Sequence, residues 1–142
     1  VATFDRLSSV APELAAALRG ANDEAARRTA FAYARRAVES SRLDSWVRAM
    51  LAGLESGAPP SSLEIDRLSK LVDSLDEVAW DINERSDGAG GETYLRAFSD
   101  ARAAAAVLAA AALDARGDVV EVAYEAWAAG VSLEDLVELQ PR

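Results

Sequence analysis

Residues 103–113 read AAAAVLAAAAL, eleven positions without a polar side chain. No Pro or Gly interrupts them, and Ala has the highest helix propensity of any residue. The stretch reads as the second half of a helix running from about Glu92 to Arg116, with Gly117 as its stop. A helix that is apolar on every face is surrounded by protein. At 11 residues this run is too short to cross a bilayer, which needs about 20. It is therefore expected at the centre of a bundle. Ala there lets neighbouring helices approach closely, while Leu95, Phe98, Val107, Leu108 and Leu113 supply bulk.

Toward the C-terminus, Asp118 is placed to cap a further helix with Glu121 three residues later. Val119, Val122, Ala123, Ala126 and Trp127 are expected inside it, and Glu121 and Glu125 outside. Gly130 stops that helix, and Ser132 with Asp135 opens a short last one carrying Leu133, Leu136 and Val137. Toward the N-terminus lies a Gly-rich connector, 86–91. It is no phosphate loop, because no strand precedes it and no Gly-Lys-Ser/Thr follows.

The helix before that connector has the clearest pattern. Ser61 and Glu64 have capping-box spacing. Ile65, Leu68, Val72, Leu75, Ala79 and Ile82 then recur every three or four residues, flanked by Leu71 and Val78, which predicts a core-facing stripe. Upstream, Asp44 or Ser45 opens a helix with Trp46, Val47, Met50, Leu51 and Leu54, ended by Gly57 and Pro59-Pro60. Another begins after Asn22 or Asp23 and shows one face of Ala26, Ala30, Tyr33, Ala34 and Ala37. A short helix starts near Phe4. A helix opened by Pro12 runs to Arg19, where Gly20 suits a left-handed stop.

Ala fills 32 of 142 positions, and strand-favouring residues are sparse. The expectation is a single all-α domain over 1–142. It is a compact antiparallel bundle of six to seven helices around the Ala-rich helix at about 92–116. The excess of Ala and Arg suggests a GC-rich bacterial gene. The first 20 residues hold Asp5, Arg6 and Glu13 without an unbroken apolar stretch, so no secretory signal is read and a cytoplasmic protein is expected.

Cys and His are absent. That removes disulfides, thiolate chemistry, the commonest general base and the commonest transition-metal ligand. A Glu-x-x-His di-metal pattern is excluded, and Asp100 and Asp114 stand isolated on their helix, so neither metal nor cofactor is expected. No nucleophile has an evident base, which disfavours an enzyme. Nucleic-acid binding is disfavoured too. Glu24 and Glu39 interrupt the basic cluster Arg27, Arg28, Arg35 and Arg36, and the following helix offers only Arg48.

The net charge of −9 is unevenly placed. Residues 1–58 carry 8 basic and 7 acidic side chains, whereas residues 59–142 carry 7 and 17. Asp66, Asp73, Glu77, Asp81 and Glu84 line the side of the helix opposite its apolar stripe, with Lys70 the only Lys of the chain. Such a face solubilises the protein or awaits a cationic partner. Trp80 lies off the stripe among Asp76, Glu77, Asn83 and Glu84. An indole framed by carboxylates suits an Arg or Lys from a partner, unless another helix packs over it. Arg102 sits on an otherwise apolar face near Leu95, Phe98 and Ala109, so it needs an acid from a neighbouring helix or an anionic ligand.

Two functional readings follow. In the first, a non-enzymatic protein uses Trp80, Asp73, Asp76, Glu77, Asp81 and Glu84 to engage a basic protein, as an antidote or immunity protein would, or forms a homodimer. In the second, Tyr94, Tyr124 and Trp127 line an apolar pocket beside Arg102 and hold a small molecule.

Overall fold

In the computed structural model, which describes residues 6–85, 91–113 and 119–141, Ala103, Ala104 and Ala106 have no exposed surface. Their helix, α6 (Gly91–Ala111), packs against α3 (Asp23–Glu39), α4 (Ser45–Glu55), α5 (Ser62–Arg85) and α7 (Val119–Ala128). Three short helices complete the set: α1 (Arg6–Val10), α2 (Pro12–Arg19) and α8 (Leu133–Glu138). Among the described residues there are eight helices and no strand. The chain is an all-α helical bundle, and α6 is its centre. The physical reason is the one the Ala run implies: methyl side chains let four helix axes come close to a fifth without overlap.

The core draws Leu7, Leu14 and Leu18 from α1 and α2, Tyr33 and Val38 from α3, and Val47 and Leu51 from α4. Leu68 and Val72 join from α5, Val120 and Val122 from α7, and Leu136 from α8. The α5 stripe is tilted about its own axis. Leu68, Val72 and Ala79 are buried, Ile65, Leu71, Leu75 and Ile82 are half-buried, and Val78 is half exposed. Only α6 covers this helix extensively, so one narrow strip is sealed.

Capping chemistry sets the helix starts. Asn22 accepts a hydrogen bond from the Ala25 N–H at 2.8 Å. Ser61 and Glu64 close a reciprocal capping box at 3.0 and 3.1 Å. Ser132 accepts from the Asp135 N–H at 3.1 Å. Gly130 has φ +112°, the left-handed stop, and lets the Val131 N–H reach back to Ala126 O at 3.0 Å. Gly20 differs from expectation. Its φ is −79°, because α2 ends in a right-handed turn whose N–H bonds Ala16 O, and this needs no glycine.

Three further expectations are corrected. Leu95 is 61% exposed and adds nothing to the core, since its side of α6 faces an open cleft beside Arg42 and Gly130. The helical part of α6 ends at Ala111, with Ala112 and Leu113 in a turn, and the stops at Gly117 and Asp118 lie outside the described residues, as does Phe4. Glu125, placed outside by the pattern, is only 5% exposed.

Tyr33 ties α3 to α8. Its hydroxyl donates to the Leu136 carbonyl at 2.6 Å from a fully buried site, giving the phenol the partner that burial demands. Burial pushes the phenol well above its ordinary pKa of 10.0. The neutral form is favoured in the folded state, so this stability is complete below the unfolded pKa and is lost as pH rises above about 10. Replacing Tyr33 with Phe should cost about 1 kcal/mol at neutral pH. Urea denaturation should show that gap shrinking at alkaline pH, where the native chain weakens and the variant does not share the loss. Ala104→Leu should lower stability by about 1–3 kcal/mol by overpacking the central contact. The same change at exposed Ala52 should leave the urea midpoint within error.

Candidate functional site

A chain of charges links four helices, with Arg102 and Glu125 largely buried at its middle and Asp76, Arg6 and Glu121 about half exposed. Arg102 on α6 is 15% exposed and stands between two carboxylates. Its Nη2 donates to both oxygens of Asp76 on α5, at 2.5 and 2.7 Å. Its Nη1 donates to Glu125 Oε2 on α7 at 2.8 Å. The other oxygen of Glu125 accepts from Arg6 on α1 at 2.8 Å, and the same Arg6 nitrogen reaches Glu121 at 2.6 Å. The Arg6 guanidinium also lies 4.2 Å above the Tyr124 ring, which stands 5.7 Å from Trp127. Four helices are thus held by alternating charges. Burial works against the charge on Arg102, but Asp76 and Glu125 outweigh it, and the guanidinium is held more firmly protonated than usual.

Two acids from different helices therefore do converge, which the pattern of the sequence did not indicate. The missing signal was positional: Glu125 lies one turn from buried Val122 and beside buried Ala126, at the rim of the inward arc of α7. Asp100, which reads as isolated, is also engaged. It is buried, and it accepts from the Arg42 N–H at 3.1 Å and from Arg42 Nε at 3.0 Å, holding the α3–α4 connection.

The sequence-derived acidic set splits in the structure. Asp76 pairs with Arg102, its side chain still about half exposed. Asp73, Glu77, Asp81 and Glu84 are exposed, because burial of Leu68, Val72 and Ala79 rotates their side of α5 outward. None of these four has an ion pair among the described residues; Lys70 turns to Asp66 at 2.9 Å. Trp80 is 65% exposed beside them. The other two indoles are half-buried, Trp46 under the Arg67 guanidinium at 3.9 Å and Trp127 against Tyr124.

Residues assigned to a pocket are dispersed along the charge chain. Tyr94 lies 6.0 Å from Phe98, while Tyr124 and Trp127 lie on α7 under Arg6. Surface clefts beside Arg42 and Leu95, beside Val78 and Ile82, beside Trp46, and beside Ala25 and Leu139 are lined by other side chains. Among these residues no group of three or more acidic side chains is arranged to hold a metal ion.

Asp76 and Arg102 also reveal how α5 and α6 are aligned. Further along α5, Val78 and Ile82 share a cleft with Thr93, Arg96 and Ala97 of α6, so the two helices run antiparallel. One turn onward from Asp76 is Trp80, and one turn back from Arg102 is Phe98. By this turn count helix geometry sets Trp80 near the level of Phe98, and by the same step Glu84 near the level of Tyr94. Phe98 is half-buried, with its ring 5.8 Å from the Arg102 guanidinium.

Removing one member of a buried charge chain leaves its partner desolvated. Arg102→Met is expected to cost about 3 kcal/mol in urea denaturation. Adding Glu125→Gln should return part of that loss, with a coupling energy of about 1–3 kcal/mol. Strictly additive losses would show that the two charges act independently.

Comparison of the chain with protein-family models, with curated proteins and with solved structures finds no match.

Proposed function

We propose that this protein is a non-enzymatic binding protein whose α5 face, centred on Trp80, engages a basic surface on another protein. The observation that carries the reading is the exposure of Trp80 next to carboxylates that the bundle does not neutralise. A large exposed indole costs solubility unless it is used, and Trp is the residue type most enriched where binding energy concentrates. Asp73, Glu77 and Asp81 are spaced at i, i+4 and i+8, and like charges at that spacing destabilise a helix by about 0.2–0.5 kcal/mol per pair. A cationic partner relieves this repulsion and stacks a guanidinium or ammonium on the indole.

The form of action that fits is masking, as an antidote protein covers a cationic toxin. Steering follows from the charge distribution, since a surface of one sign raises the rate of encounter with the opposite sign.

Tagged protein recovered from its host at low salt should retain a basic protein and lose it as ionic strength rises. Trp80→Ala combined with Glu77→Ala should abolish that retention while the urea midpoint stays unchanged, because both side chains are exposed. Retention of the same partner by the double variant would sink the proposal.

A further inference from the structure

We infer that the segment received by this face is a cationic amphipathic helix, lying along the α5–α6 hairpin across Trp80, Phe98 and Tyr94. The inference rests on the binding reading above and names the occupant. The apolar surface is what carries it. Trp80 lies near the level of Phe98, whose ring is 6.0 Å from that of Tyr94, and Leu95, 61% exposed, continues the apolar surface one turn from Phe98. On this reading Trp80 of α5 extends the Tyr94–Phe98 ring pair of α6 into one shelf. The carboxylates of Asp73, Glu77 and Glu84 form its outer rim on α5.

Two physical constraints select the occupant. The first concerns backbone hydrogen bonds. A peptide bound in extended form over apolar rings would leave its N–H and C=O groups unpaired unless a sheet edge received them. Among the described residues there is no strand to offer such an edge. A helix satisfies its own backbone and can lie in a groove between two helices. The second constraint is charge. A second copy of this chain, itself at −9, would bring its own acidic rim against this one, and like charges brought together at an interface are strongly unfavourable. A helix with an apolar stripe flanked by Arg or Lys one turn apart matches carboxylates that are themselves about 6 Å apart along α5.

The test uses the whole protein and two synthetic peptides of about 15–20 residues with identical composition and net positive charge. One places Leu at i, i+3, i+4 and i+7 with Lys and Arg beside them, and the other scrambles that order. The amphipathic peptide should bind at least about tenfold more tightly by calorimetry and gain helicity by circular dichroism on binding. Trp80→Ala and Tyr94→Ala should each weaken it about tenfold, with the folded state checked by thermal denaturation.

Equal, salt-sensitive binding of both peptides would overturn the helical occupant while leaving the acidic-face reading intact. Weakening by Trp80→Ala but not by Tyr94→Ala would overturn the placement across both helices. Failure of both peptides to bind at low salt would remove the binding reading itself. A dimer in sedimentation experiments that Trp80→Ala dissociates would show that the occupant is a second copy.

Discussion

A guanidinium held between carboxylates of two flanking helices sets the geometry on which the surface of this protein depends. Hydrophobic burial brings α5 and α7 against the Ala-dense α6, but burial is indifferent to small rotations and slides of one helix along another. Arg102 removes that freedom. Its fork meets Asp76 on one side and Glu125 on the other, and Arg6 closes the far oxygen of Glu125. Such a charge chain adds little net stability relative to an apolar replacement; its contribution here is alignment.

That alignment has a consequence one turn away. With Asp76 held to Arg102, the next turn of α5 sets Trp80 near the level of Phe98, and the next turn again sets Glu84 near the level of Tyr94. The aromatic surface proposed above therefore adjoins the charge chain, with the Phe98 ring 5.8 Å from the Arg102 guanidinium. It also takes Asp76 out of the exposed acidic set, so the outward face of α5 is Asp73, Glu77, Asp81 and Glu84 around an unshielded indole. Core, register and candidate interface form one line of cause.

Polar contacts elsewhere in the bundle close on partners within the chain. Asp100 fastens Arg42, Tyr33 fastens Leu136, and Arg36 meets Asp135 at 3.2 Å. Asp73, Glu77, Asp81 and Glu84 of α5 differ from these in having no ion pair among the described residues.

The all-helical class, the central place of the Ala run, the caps at Asn22, Ser61 and Ser132 and the inward stripe of α5 are all legible in the chain itself. They depend on local propensity and on a 3.6-residue period, and both are properties of neighbours in sequence. The need of Arg102 for an acid is legible too, as a cation on an apolar face. Which acids answer it is not. Glu125 reads as a surface residue and Leu95 as a core residue, because each lies outside the centre of its helix's inward arc. Only the packing of α5, α6 and α7 decides those positions, since burial at a rim depends on the distance and tilt of a second helix, which no single-helix period encodes.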